Sequence, residues 1–110
     1  MTKIMLLAAV LVSTSPAKAA DLTKLRENWD NCVANTAYLF ATKLTDEPAD
    51  VIVMGAYGKC KAPLMNAVAE LVKQTNGSPN DVLSIARQWE DDDREGHVAE
   101  ILQQRIEGTP

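Results

Sequence analysis

The chain has only two cysteines, Cys32 and Cys60, and their placement constrains its fold more than any other feature. Residues that pair across two antiparallel helices have numbers that sum to about twice the turn centre, and this pair centres on Asp46. The stretch Thr45, Asp46, Glu47, Pro48 reads as a turn on independent grounds. Pro48 suits the first position of a following helix, and the two acids suit the positive end of its dipole. At 1.5 Å per residue each cysteine lies about 21 Å from that turn, so the two sulfurs can meet. A disulfide there closes a loop of about 29 residues, worth roughly 3–4 kcal/mol on the chain-entropy argument.

The apolar pattern on either side of the turn supplies the two helices. From a cap at Asp21, a stripe with steps of three and four runs through Leu22, Leu25, Trp29, Cys32, Val33, Thr36 and Phe40, and the helix is expected to end near Leu44. After Pro48, Val53, Met54, Tyr57, Cys60, Leu64, Met65, Val68, Leu71 and Val72 form a second stripe, stopped at Gly77. Pro63 removes one backbone hydrogen bond inside this pattern, yet the stripe keeps its phase, which predicts a kink and no reversal.

Ser78, Pro79 and Asp81 form a capping-box start for a third helix. Its first half carries Val82, Ile85, Ala86 and Trp89. Val98, Ile101, Leu102 and Ile106 lie roughly opposite if the helix continues at 100° per residue. Either the helix breaks within the run from Asp91 to Gly96, or it continues and turns its last apolar residues outward as a patch for a partner or a second copy. Continuity is the favoured expectation. The architecture predicted is all-α: an antiparallel helical hairpin stapled by one disulfide, with a third long helix packed across it.

The N-terminus places the chain in an oxidising compartment. Lys3, the uncharged run from Ile4 to Val12, and Ala17, Lys18, Ala19 follow the order of a secretory signal, with cleavage expected between Ala19 and Ala20. The apolar run is far short of the roughly 20 residues of a membrane-spanning helix. Residues 1–19 are thus read as a cleavable signal and residues 20–110 as one small helical domain, periplasmic or secreted, with no membrane insertion after cleavage. An even cysteine count in such a compartment favours the disulfide. Loss of Lys3 and Lys18 takes the formal charge from -4 to -6, and so acidic a chain repels nucleic acid phosphates and anionic lipid.

Candidate chemistry is sparse. Asp91, Asp93 and Glu95 alternate as in a calcium loop, but the closing position is Leu102 where a bidentate Glu is required, so a solvated acidic face is expected instead. His97, the only histidine, has Asp93 and Glu100 at helical spacing. These are too few strong ligands for a closed zinc site, and the expectation is a surface histidine with no metal and no cofactor. Lys59 and Lys61 flank Cys60 and could lower a thiol pKa, though the spacing is not that of a C-x-x-C redox motif. No G-x-S-x-G is present after residue 19, and Gly55 and Gly58 are too sparse for a phosphate loop. Trp29, Phe40, Tyr57, Trp89, Met54 and Met65 are read as core packing.

In general form the chain resembles small periplasmic helical proteins with one disulfide, among them the acid-stress chaperones of enteric bacteria. The likeness rests on size, export and a cysteine pair, and it transfers no residue. The function expected is that of a non-catalytic exported protein that binds a protein partner, or itself, through the last helix, or serves a structural role in the envelope. A periplasmic stress chaperone or inhibitor is the alternative, and a small thiol-redox or metal-binding protein the second.

Overall fold

The computed structural model describes residues 16–108, so the expected signal up to residue 15 lies outside the described residues. Among them the chain is all-α, with four helices and no strand: α1 Pro16–Lys43, α2 Ala49–Lys59, α3 Lys61–Gln74 and α4 Val82–Glu107, the last preceded by a 3-10 turn Pro79–Asp81. No helix of the described residues is long and apolar enough to cross a membrane.

Helix α1 begins ahead of its expected cap. It starts at Pro16, so Asp21 sits inside the helix, and Ala19 and Ala20 are exposed residues of its opening turns. Its core stripe is a strict four-residue repeat of Trp29, Val33, Ala37 and Ala41, all buried. Phe40 packs where a side chain on Gly55 would go, with its ring 3.3 Å from an ideal Cβ there, so the absence of a side chain lets α1 and α2 approach closely.

The second apolar stripe forms two helices. Pro63 cannot donate to the carbonyl of Lys59, and the helix breaks just there, α2 ending at Lys59 and α3 starting at Lys61. The Cys60 amide still reaches Ala56 O at 3.0 Å and Leu64 N still reaches Cys60 O at 3.3 Å, so the ladder bends without reversing. The disulfide joins Cys32 to Cys60 with a Cα–Cα distance of 5.9 Å. Gln74 Nε2 donates to the Lys18 carbonyl at 2.9 Å. Each of these pairs centres on Asp46, and an unchanged centre two α-helical spans apart means α1 runs antiparallel to α2 and α3 in one register.

Helix α3 ends one residue earlier than expected. Asn76 takes the left-handed conformation, with φ 55°. Gly77 N bonds to Val72 O at 2.8 Å and Asn76 N to Lys73 O at 3.3 Å, the two bonds of a Schellman ending with Gly77 one place past the turn. The Ser78 start is as expected. Ser78 Oγ accepts from Asn80 N at 3.2 Å and the Asp81 carboxylate accepts from Ser78 N at 3.2 Å.

Helix α4 corrects the sequence reading most. It is continuous through the acidic run and Gly96, yet its second half does not face away. Ile101 is 4% exposed and belongs to the core, and Val98 packs against that core half-buried. Only Leu102, at 49%, and Ile106, at 68%, remain of the outward patch. Glu90 and His97 are buried and Asp93 half-buried. With Ala86, Trp89 and Ile101 they step by three and four along one face, so polar side chains carry the stripe where the apolar ones lapse.

Candidate functional site

The polar stretch of α4 lies against three other helices, and Glu90, Asp91, Asp93 and Arg94 in it each have an ion-pair partner. Near the start, the guanidinium of Arg26 on α1 stacks 4.2 Å from the centre of the Trp89 ring. The same group pairs with Asp93 at 3.1 Å. Lys61 at the head of α3 donates to Glu90 at 2.6 Å, with the carboxylate side chain only 10% exposed. Arg94 holds Asp91 at 3.1 Å within the helix. Two of the three would-be calcium residues, Asp91 and Asp93, are therefore committed to different partners. No three His, Cys, Asp or Glu side chains converge as metal ligands among the described residues.

His97 is a buried residue, 8% exposed, where a surface position was expected. Its Nδ1 lies 2.7 Å from the Tyr57 hydroxyl, and its Nε2 lies 3.5 Å from an oxygen of Asp30. Burial, and after it the charge of Asp93, pushes the Tyr57 phenol well above its ordinary value of 10.0. The phenol therefore keeps its proton, and its hydroxyl shares a short hydrogen bond with Nδ1 while Nε2 faces Asp30. At 3.5 Å that last contact orients the ring electrostatically and is too long for a good hydrogen bond.

The aromatic rings enclose this relay. Trp29, fully buried, is the hub. Its ring centre lies 5.9 Å from Tyr57, 6.1 Å from Trp89 and 5.9 Å from His97, the last edge-on at 88°. Tyr57 meets His97 at 5.5 Å and 77°. Trp29 Nε1 is buried and donates no hydrogen bond to any of the described residues. The Tyr57–His97–Asp30 chain has the outline of a proton relay, but a phenol 1% exposed and held protonated is a poor nucleophile. What this geometry does chemically is fix the positions of α1, α2 and α4 through a satisfied polar contact inside the core.

The titration of Tyr57 gives a direct check. With Tyr38→Phe in the background, Tyr57 is the sole tyrosine. Because its folded pKa stands above the unfolded one, the contribution of Tyr57 to stability is constant below about pH 10 and is lost as pH rises further. The expected result is a 295-nm phenolate signal that rises only together with loss of helicity. A phenolate that forms near pH 10 in the intact fold contradicts the buried phenol.

A second feature lies on the outside. Helix α2 is apolar nearly all round: Ile52, Val53, Ala56 and Tyr57 face the core, while Val51 and Met54 are 48% and 49% exposed on the other side. Met54, read from sequence as core, is thus a surface residue. The pairs Tyr57–His97, Lys61–Glu90 and Glu47–Arg105 have numbers that sum to about 150, so α2 and α4 run antiparallel. That register sets Met54 level with Val98, and Val51 level with Leu102. Cys60, by contrast, is fully buried and in its bridge, with Thr36 Oγ1 at 3.6 Å from its sulfur.

Comparison with family models, with curated proteins and with solved structures finds no match. The sequence reading missed Arg26, Asp30, Lys61, Glu90 and Asp93 as partners and misplaced His97. The detectable signal was the four-residue spacing of Trp89, Asp93, His97 and Ile101, visible once polar residues are allowed on a core face.

Proposed function

We propose that this chain is an exported, non-catalytic helical protein that binds a partner protein through the seam between the outer sides of α2 and α4. The observation that carries the reading is the solvent side of α2. A helix apolar nearly all round is ordinarily covered, and here Val51 and Met54 are half exposed, with the half-exposed Leu102 of α4 level with Val51. The signal-like order of residues 1–19 and the Cys32–Cys60 bridge support export. The buried polar contacts support a rigid scaffold, since the ionisable groups closest to His97 are engaged in holding helices together.

Position-specific crosslinking in the native envelope tests this. A photoreactive amino acid at Met54 or at Leu102 is expected to yield an adduct of discrete mass, and one at Leu83, equally exposed but at the opposite end of α4, none. Absence of adducts at all three positions, or equal yields at all three, overturns the reading. A ladder of many masses from Met54 and Leu102 favours the chaperone alternative, in which the same apolar side chains hold unfolded clients.

A further inference from the structure

The charges around the α2–α4 seam narrow the partner's chemistry, an inference that rests on the partner-binding reading above. On α4 the outward face that carries Leu102 also carries Glu95 and Asp91, by helical spacing of seven and eleven residues. On α2 the exposed Asp50 stands beside Val51, level with the end of α4 that bears Leu102. The two cations that face the same seam are already engaged. Arg94 holds Asp91 at 3.1 Å, and Arg105 donates to the Leu44 and Glu47 carbonyls at 3.4 and 2.6 Å. Lys59 falls by helical phase on the α1 side of α2, and Lys43 closes α1 two residues past its core position Ala41, off the buried stripe. An apolar strip of Val51, Met54, Val98 and Leu102 is thus bounded by Asp50 at one end and Glu95 at the other, about two helical turns apart.

We infer that this seam receives a cationic amphipathic helix of another protein, its apolar stripe on Met54 and Leu102 and basic residues about two turns apart against Asp50 and Glu95. Two antiparallel helices leave a groove that a third completes by ridge-into-groove packing, and this is how amphipathic helices are commonly recognised. Gly58 continues the outer line of Val51 and Met54 and has open space where a Cβ would stand, so an approaching backbone meets no side chain there. A second copy of the chain fits worse, because it brings the same acidic set to an already acidic face.

The test uses the chain from residue 20 onward, disulfide intact, and two labelled synthetic peptides with one amphipathic pattern, one of leucine and lysine, the other of leucine and glutamate. Fluorescence anisotropy is expected to show binding of the lysine peptide, weaker in high salt, and none of the glutamate peptide at the same concentrations. Asp50→Lys with Glu95→Lys is expected to weaken the lysine peptide about tenfold and to admit the glutamate peptide. Both positions are exposed, and unchanged helicity confirms that the variant folds. Equal binding of the two peptides, binding indifferent to the charge reversal, or a stable dimer in sedimentation overturns the inference. Discrete adducts from Met54 and Leu102 in the envelope, with no lysine-peptide binding, would leave the partner-binding reading standing and remove only the cationic partner; loss of both removes both.

Discussion

Replacing Trp29 with alanine lowers the free energy of unfolding by about 3–5 kcal/mol, the largest loss expected of any single side chain here. The ring is fully buried and touches Tyr57, Trp89 and His97, so its removal opens a cavity at the point where α1, α2 and α4 meet. The aromatic frame that holds the His97 ring edge-on also goes, which leaves a buried hydrogen-bonded pair with freedom to shift. Trp29→Phe is expected to cost much less. The indole Nε1 has no hydrogen-bond partner among the described residues, so phenylalanine loses volume without abandoning an acceptor. Urea unfolding followed by far-UV circular dichroism reads both variants. A loss below about 1 kcal/mol for the alanine variant, at an unchanged slope, would show that the helices do not converge on this ring.

The Cys32→Ala, Cys60→Ala double variant is expected to lose about 3–4 kcal/mol, because its unfolded chain regains the entropy that a loop of sequence separation 28 denies it. For a domain of this size that is a large part of a total of roughly 5–15 kcal/mol. The melting temperature falls by many degrees, and dithiothreitol applied to the unmodified chain reproduces the fall. A bridge that opens under mild thiol with the melting temperature unmoved would instead fit the thiol-redox alternative. Combining this change with Trp29→Ala should not give the sum of the two losses. Trp29 and Cys32 are one turn apart on α1, and Tyr57 and Cys60 one turn apart on α2 and its cap, so both changes disturb one body of packing.

How much was legible in the sequence depended on whether the determining physics was local. The turn at Pro48, the capping box at Ser78 and the kink caused by Pro63 are dictated by one or two residues, and they lie where the sequence places them. The cysteine pair was legible because its midpoint coincides with a turn found independently. What failed was any inference that equated the core with apolar residues. His97, Glu90 and Asp93 lie inward because Tyr57, Lys61 and Arg26 arrive from other helices to satisfy them, and those partners are 29 to 67 positions away. A stripe judged by hydrophobicity alone breaks at Trp89 and resumes out of phase at Val98, which made α4 look two-faced. Met54 failed in the opposite sense: α2 is apolar all round, so periodicity could not say which side faces water. The Asn76 ending was misassigned to Gly77 because both residues accept the left-handed conformation.

The antiparallel pairing of α1 with α2 and α3, in the register fixed by Cys32 and Cys60, underlies every contact described, including the arrival of Tyr57 at His97 and the exposure of the outer side of α2. Peptide mass mapping of the non-reduced chain tests it most directly. The expected result is a single species in which the peptides containing Cys32 and Cys60 are covalently linked and separate on reduction. Two alkylatable thiols in the folded chain, or cysteines joined between chains, would contradict it.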